Sequence, residues 1–121
     1  MAPRIIVIDD ENIVCQMSKR VLEQEGYQVE TYVDSTEALE RIKTTPFDVV
    51  ITDFKMENVS GMDILREVTQ RYPHTRVIML TAYATLDTAI EALREKIYDF
   101  FPKPVKIDEL KKAVKRALDT R

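Results

Sequence analysis

The sequence predicts an α/β domain in which a five-stranded parallel sheet is covered by helices on both faces. Short apolar, β-branched runs alternate five times with longer amphipathic stretches, which is the pattern of a parallel sheet wrapped by helices. Three of the five runs are almost continuously apolar, and strands of that kind need cover on both sides. A doubly wound arrangement is therefore favoured over a sheet with all of its helices on one face.

The strands are predicted from the β-branched runs. The first, third and fourth are the apolar ones, and the second and fifth resemble edge strands. In chain order they are Arg4–Ile8, Val29–Val33, Asp48–Thr52, Arg76–Thr81 and Asp99–Phe101.

The first two helices are predicted from apolar residues at helical spacing. Helix one ends at Gly26, which suits the left-handed backbone of a helix end. Helix two opens at Asp34 or Ser35, turns Ala38, Leu39 and Ile42 inward, and ends before Pro46. The apolar positions of helix one are Ile13, Val14, Met17, Val21 and Leu22.

Three further helices follow from the same spacing. Helix three begins near Ser60 and cannot pass Pro73, and helix four begins around Thr85–Asp87. Helix five spans about Asp108–Asp119. The residues expected to face inward are Ile64, Leu65 and Val68 in helix three, the stripe Ala89, Ile90 and Leu93 in helix four, and Ile107, Leu110, Val114, Ala117 and Leu118 in helix five.

Length and composition restrict the function. The 121 residues suit one domain, expected to span 1–121, and 45% hydrophobic with 32% charged residues excludes a disordered chain. A net charge of −3 disfavours nucleic-acid binding by this chain alone. One cysteine and one histidine cannot build a disulfide or a thiolate and imidazole metal cage. No stretch approaches the roughly 18 apolar residues of a membrane helix, so a cytoplasmic protein without a membrane anchor is expected.

Polar side chains end four of the predicted strands. Because the carboxyl ends of parallel strands share one edge of the sheet, these groups are expected to converge. Several carboxylates in one place need a cation, and Mg²⁺ with its preference for oxygen ligands is the best candidate. Lys103 would supply a second positive charge and Thr81 a hydroxyl for a phosphoryl oxygen. The four ends read Ile8–Asp9–Asp10–Glu11, Thr52–Asp53, Leu80–Thr81–Ala82 and Phe101–Pro102–Lys103–Pro104.

With these residues, essentially the whole chain resembles the receiver domain of two-component response regulators. Asp9 and Asp10 look like that family's acidic pair, Asp53 like its phosphoacceptor, and Thr81 and Phe100 like its two switch residues. Lys103 followed by Pro104 looks like its lysine with a cis peptide bond, and the segment from Asp53 to Gly61 matches its loop after the phosphoacceptor. The fold implied is flavodoxin-like, with strand order 2-1-3-4-5.

The resemblance also implies a metal site and a reaction. Asp10, Asp53 and the backbone carbonyl of Lys55 would bind Mg²⁺ directly, Asp9 would help through water, and Lys103 would pair with the phosphoryl group. Asp53 would accept a phosphoryl group from the phosphohistidine of a sensor histidine kinase or from a small phosphodonor. Such a domain assists its own phosphorylation and dephosphorylation without being a turnover enzyme.

The resemblance further implies that phosphorylation changes the conformation of one surface of the domain. Phosphorylation would draw Thr81 and then Phe100 inward and alter the face formed by the fourth helix, fifth strand and fifth helix. That face would control an output domain or partner, in a transcriptional role, with a homodimer on activation. The runs 77–84 and 98–104 look most like receivers of enhancer-binding ATPase regulators. The sequence is compatible both with a stand-alone receiver and with a receiver that forms part of a longer regulator.

The chain departs from the family pattern at a few positions. Glu57 replaces the usual proline, which is expected to leave the loop less restrained and to add a negative charge near the metal site. Lys96–Ile97 replaces a small Gly–Ala pair before the fifth strand. Lys55 and Tyr83 flank the phosphoryl position, and a long basic chain and a ring there are expected to shield it from water and to slow self-dephosphorylation.

Two other functions fit these residues less well. A haloacid-dehalogenase type of phosphotransferase or phosphatase also uses an aspartate at a strand end, but it places a second aspartate two residues later, whereas Asp9 and Asp10 are adjacent. A degenerate receiver that only docks usually lacks a site residue, and here each one is present. A phosphorylation switch is therefore favoured over both alternatives.

Overall fold

The computed structural model describes residues 2–120. Met1 and Arg121, which belong to the predicted domain 1–121, lie outside the described residues. The strands are β1 (Arg4–Ile8), β2 (Gln28–Tyr32), β3 (Val49–Thr52), β4 (Arg76–Thr81) and β5 (Asp99–Pro102). The helices are α1 (Asn12–Gln24), α2 (Ser35–Thr44), α3 (Gly61–Arg71), α4 (Leu86–Arg94) and α5 (Ile107–Asp119).

The five strands form one parallel sheet in the order β2-β1-β3-β4-β5, so the predicted flavodoxin-like topology is confirmed. Ile8 pairs with Thr52, and Thr81 pairs with Pro102. Since these residues are the last of their strands, the register brings the segments that follow β1, β3, β4 and β5 to the same edge.

The core lies on both sides of the sheet, as the apolar strands predict. Alternate residues of one strand face opposite sides, so Ile6 and Ile8 belong to one cluster and Ile5 and Val7 to the other. The first cluster is closed by α2, α3 and α4, and the second by α1 and α5. The sheet is therefore covered on both faces.

Strand ends differ slightly from the prediction. β2 begins at Gln28 and ends at Tyr32, one residue earlier than expected, and Val33 is half exposed where the chain turns into α2. Asp34 forms the N-cap of that helix and accepts hydrogen bonds from the backbone N–H groups of Thr36 and Glu37. β3 starts at Val49 and β5 reaches Pro102.

Four residues predicted to face inward are exposed. Ile13 is 79% exposed, Ile90 38%, Leu93 67% and Ile107 43%. The sequence period locates a broad apolar face, but small residues occupy its centre: Cys15 and Ser18 are buried in α1, and Ala92 is the one buried residue of α4. The predicted inward stripe of α4 is thus wrong. Leu86, Ile90 and Leu93 form an exposed row on this helix, called here the α4 stripe.

Two helices end with the same backbone motif. After α1, Gly26 has φ +91° and Tyr27 donates to the carbonyl of Leu22. After α4, Lys96 has φ +65° and Ile97 donates to the carbonyl of Ala92. The predicted glycine stop of helix one is confirmed, and a lysine takes the left-handed position that usually favours glycine.

Across the part of the chain that is described, none of the helices combines the length and apolar character needed to cross a bilayer.

Candidate functional site

Four carboxylates gather at the carboxyl edge of the sheet. Asp9, Asp10 and Glu11 follow β1 and Asp53 follows β3, and one oxygen from each lies within 4.8 Å of the others. Asp9 and Asp53 are buried, whereas Asp10 and Glu11 are exposed. The predicted convergence is therefore present, and it produces a strongly negative site with a buried and an open side.

Lys103 brings a positive charge into this cluster from the loop after β5. Its Nζ lies 2.7 Å from Oδ2 of Asp9, 2.9 Å from Oδ2 of Asp53 and 3.0 Å from Oε1 of Glu11. The backbone N–H of Lys103 donates to the carbonyl of Thr81, which fixes the loop beside β4. The peptide bond between Lys103 and Pro104 is cis, as the resemblance implies.

For both Asp9 and Lys103, burial and the neighbouring opposite charges shift the pKa in opposite directions. Burial raises the pKa of Asp9, and the hydrogen bonds from Lys103 and from the backbone of Glu11 offset only part of that rise. Burial lowers the pKa of Lys103, but its hydrogen bonds to Asp9, Asp53 and Glu11 prevail and hold that pKa above its ordinary value. The lysine is therefore firmly cationic among the carboxylates.

Asp53 is held by the backbone on both sides. Its N–H donates to the carbonyl of Ile8, and its Oδ1 accepts from the N–H of Phe54 at 2.7 Å. The following loop returns close by, since Gly61 donates to the carbonyl of Phe54 at 2.8 Å. A Cβ on Gly61 would lie 2.0 Å from the carbonyl oxygen of Asp53, so glycine allows the close approach.

The donor set fits a hard divalent cation such as Mg²⁺, because it consists of carboxylate oxygens. Both oxygens of Asp9 already accept hydrogen bonds, one from Lys103 and one from the N–H of Glu11. Asp10 is the exposed member of the acidic pair. Asp10 and Asp53 line an open cleft together with Lys55.

The predicted switch residues lie behind this edge. Thr81 is completely buried at the end of β4, and its hydroxyl oxygen accepts a hydrogen bond from the N–H of Tyr83 at 3.0 Å. Phe100 lies on β5, paired with Met79, and is partly buried against the cluster that α2, α3 and α4 close. Thr81 is therefore hydrogen-bonded to a residue that lines the open cleft, and Phe100 lies on the α4 side of the sheet.

A cleft of about 640 Å³ opens over Asp53, and the predicted modulating residues line it. The Nζ of Lys55 lies 4.9 Å from the centre of the Tyr83 ring, so the two side chains meet across the mouth. Glu57 is exposed in the same cleft. Its backbone carbonyl accepts from the hydroxyl of Ser35 at 2.9 Å. That bond ties the loop to α2 at the position where Glu57 replaces the proline usual in the family.

Sequence reasoning did not identify two contacts of this site. The bond between Ser35 and Glu57 joins the first turn of α2 to the loop after β3, and the sequence offers no sign of it. Glu11 was noted only as part of the acidic end of the first strand, and its ion pair with Lys103 was not expected. A glutamate at a helix N-cap, where shorter oxygen-bearing side chains are preferred, is the sequence feature that could have indicated it.

The sequence matches the response regulator receiver domain family over residues 5–115. It is 35% identical over 118 residues to the response regulator protein PilR of Pseudomonas aeruginosa, and 33% identical over 112 residues to the DNA-binding transcriptional regulator NtrC of Escherichia coli. These alignments cover 98% and 93% of this chain. The chain spans only about a quarter of the length of these relatives, 26% and 24% respectively.

Solved structures share the fold over nearly the full chain. A response regulator receiver domain protein from Clostridium thermocellum is 43% identical with a TM-score of 0.89, covering 98% of this chain and 95% of its own. The beryllofluoride-activated NtrC4 receiver domain dimer is 29% identical with a TM-score of 0.89, covering 96% of each chain.

The family match, the relatives and the fold agree with the arrangement of carboxylates, lysine and threonine at the sheet edge. They also agree with the expected likeness to receivers of regulators of the enhancer-binding ATPase type. This chain belongs to the receiver domain family of two-component response regulators.

Proposed function

We propose that Asp53 accepts a phosphoryl group in a Mg²⁺-dependent reaction, from the phosphohistidine of a sensor histidine kinase or from a small phosphodonor. The observation that carries this proposal is the position of Asp53 at the base of an open cleft, 2.9 Å from the ammonium of Lys103 and within a carboxylate cluster. A nucleophilic carboxylate beside a fixed positive charge suits phosphoryl transfer, in which positioning and electrostatic stabilisation provide nearly all of the catalysis.

In the forward step a carboxylate oxygen of Asp53 attacks phosphorus in line with the departing group. The new bond is an acyl phosphate, and the bond from phosphorus to the donor nitrogen or oxygen breaks with its electrons passing to the donor. Mg²⁺, held by Asp10, Asp53 and the carbonyl of Lys55, would neutralise charge on the phosphoryl oxygens. Lys103 balances the remaining charge, and Thr81 provides a hydroxyl behind the phosphoryl position.

The second step is hydrolysis, in which water attacks the phosphorus of the acyl phosphate, the bond from phosphorus to the carboxylate oxygen breaks, and inorganic phosphate leaves as the Asp53 carboxylate is restored. The domain thus takes part in both steps through its own side chain and returns to its starting state. It is in this sense a phosphoacceptor that assists its own chemistry, and not a turnover enzyme. Lys55, Glu57 and Tyr83 line the path to the acyl phosphate and would modulate its lifetime.

A protein donor needs a docking surface beside the cleft, and an exposed apolar groove supports this proposal. Ile13 is 79% exposed at the start of α1, next to an apolar groove of about 400 Å³ that reaches Lys103. Val14, Met17, Pro104 and Val105 line the same groove. We place the phosphohistidine-bearing domain of the kinase on this groove, because it would set a phosphoryl group directly in front of Asp53.

The output surface lies on the other side of the cleft. Thr81 and Phe100 would connect Asp53 to the face formed by α4, β5 and α5, and this face carries the exposed α4 stripe. An inward shift of Thr81 and Phe100 on phosphorylation would change how that stripe is presented. The partner would be an output domain of transcriptional type or a second copy of the chain, in the cytoplasm.

Intact mass spectrometry tests the chemistry directly. The protein is incubated with acetyl phosphate and Mg²⁺, with Asp53→Ala and a chelator as controls. We expect a gain of one phosphoryl mass that requires both Asp53 and Mg²⁺. A folded protein that gains no phosphoryl group from acetyl phosphate or from a histidine kinase would contradict the proposal and indicate a domain that only docks.

A further inference from the structure

The N-cap residue of α1 uses its side chain in an unusual way. An N-cap side chain ordinarily accepts a hydrogen bond from the first turn of its helix. Glu11 is the N-cap of α1, and its side chain makes no such bond. Its Oε1 instead lies 3.0 Å from Nζ of Lys103, 92 positions later in the chain. Glu11 thereby joins the start of α1 to the loop after β5.

This contact completes the hydrogen bonding of the lysine. An ammonium group has three N–H donors, and the three short contacts of Lys103 are to Asp9, Asp53 and Glu11. The first two hold it from the buried side, and Glu11, whose side chain is 63% exposed, holds it from the solvent side. Without Glu11 the third donor would face water, and the flexible lysine could turn toward the mouth of the cleft.

We infer that Glu11 is a positioning residue for phosphoryl transfer, which keeps the ammonium of Lys103 beside Asp53 before the phosphodonor arrives. The inference rests on the proposed function, because it assumes that Lys103 balances the charge of the phosphoryl group. A cation already in place accelerates such a reaction, since no reorganisation is needed at the moment of transfer. Glu11 acts through Lys103 and need not touch the phosphoryl group.

The charge of Glu11 by itself would act in the opposite direction. A carboxylate at the mouth of the cleft repels an anionic donor, so removal of the charge alone would speed phosphorylation. Glu57 offers a matched control for this effect, because it is an exposed glutamate in the same cleft, and among the described residues its side chain forms no ion pair with Lys103.

The test compares phosphorylation rates of the wild-type chain and of Glu11→Ala, Glu11→Gln and Glu57→Ala. Acetyl phosphate is the donor, intact mass is the readout, and Mg²⁺ is raised until the rate no longer changes, so that metal affinity does not enter. We expect Glu11→Ala to be about three- to tenfold slower, as for a lost charge-assisted hydrogen bond at a partly exposed site. Glu11→Gln should recover most of the rate, because its amide oxygen still accepts. Glu57→Ala should be faster than wild type, because it only removes a charge that repels the anionic donor.

A double-mutant comparison separates positioning from general damage. In a Lys103→Ala background, Glu11→Ala should not slow the reaction further, because the residue through which it positions the charge is gone. The inference is overturned if Glu11→Ala is as fast as wild type, if it matches Glu11→Gln, or if it slows the Lys103→Ala protein equally. The proposed function, in contrast, would be overturned if the wild-type chain were not phosphorylated at all, or if Asp53→Ala were still phosphorylated.

Discussion

The ammonium of Lys103 lies 2.9 Å from Oδ2 of Asp53, although 50 positions separate the two residues in the chain. They meet because β3 and β5 flank β4 in the sheet, so the segments that follow them share one edge. Both side chains are largely buried, at 12% and 9% exposure. One positive charge is thus shared among several carboxylates, and this imbalance governs the stability and the chemistry of the site.

Asp53→Asn is expected to stabilise the metal-free protein by about 1 kcal/mol, or about 3–6 °C in Tm, because it removes one of four mutually repelling carboxylates. The amide oxygen can still accept from Lys103. Added Mg²⁺ should reduce the difference, since the cation offsets the same repulsion in the wild type. Thermal unfolding with and without Mg²⁺ measures this.

Asp119→Asn is a control for that experiment, because Asp119 is an exposed carboxylate in the last turn of α5. Its effect on Tm should not depend on Mg²⁺. A metal-free Asp53→Asn protein that melts below the wild type would show that attraction between Lys103 and Asp53 outweighs the repulsion.

Replacing both Lys55 and Tyr83 by alanine is expected to shorten the lifetime of the phosphorylated protein several-fold. The two side chains meet across the mouth of the cleft, with Nζ 4.9 Å from the ring centre, and would restrict the approach of water to an acyl phosphate on Asp53. Decay of the phosphorylated mass after removal of the donor gives the lifetime. Lys112→Ala, on the exposed face of α5, should leave it unchanged. A lifetime that hardly changes in the double variant would argue against shielding.

The paired helix ends predict opposite effects of substitution. Gly26→Ala should destabilise the fold by about 1 kcal/mol, because a Cβ at φ +91° is strained even though it would meet nothing within 4 Å. Lys96→Gly should stabilise the fold by about 0.5–1 kcal/mol, because it removes the steric strain of a residue with a Cβ at φ +65°. Urea unfolding of both variants checks the pair, and equal signs would contradict the conformational explanation.

The ion pair between Glu30 and Arg41 is expected to make the stability of the protein depend on pH. The hydrogen bonds from Arg41, at 2.8 and 2.9 Å, are the main reason why the pKa of Glu30 lies below its ordinary value. A carboxyl with a lowered pKa in the folded protein stabilises it fully above the unfolded pKa of about 4.3, and the contribution disappears as the pH falls through the folded pKa. Glu30→Gln should therefore lower Tm at pH 7, and the difference from wild type should shrink below about pH 4.

Glu40→Gln is the matched control for the pH experiment. Glu40 forms an exposed pair with Lys43 at 3.6 Å, with 70% of its side chain accessible, and such pairs contribute little to stability. Its Tm should follow the wild type throughout. A Glu30→Gln difference that stays constant from pH 7 to pH 3 would contradict the assigned ion pair.

The sequence predicted the site residues because each is tied to a strand end. Asp9 and Asp10 follow one apolar run, Asp53 another and Lys103 a third, and a parallel sheet leaves little choice about where such ends meet. The same reasoning failed for Leu93 and Ile107, because a helical period locates an apolar face without deciding which of its residues touch the sheet. Their exposure depends on how deeply each helix packs.

The order of apolar and amphipathic segments by itself determined the fold class, the parallel sheet and the set of polar groups at its edge, because these follow from local periodicity and chain connectivity. Tertiary structure alone decided the contacts between side chains distant in the chain: the ion pair of Glu11 with Lys103, the bond of Ser35 to Glu57, and the meeting of Lys55 with Tyr83. Their physical reason is that side-chain reach and loop path, which leave no periodic trace in a sequence, set distances of a few ångströms.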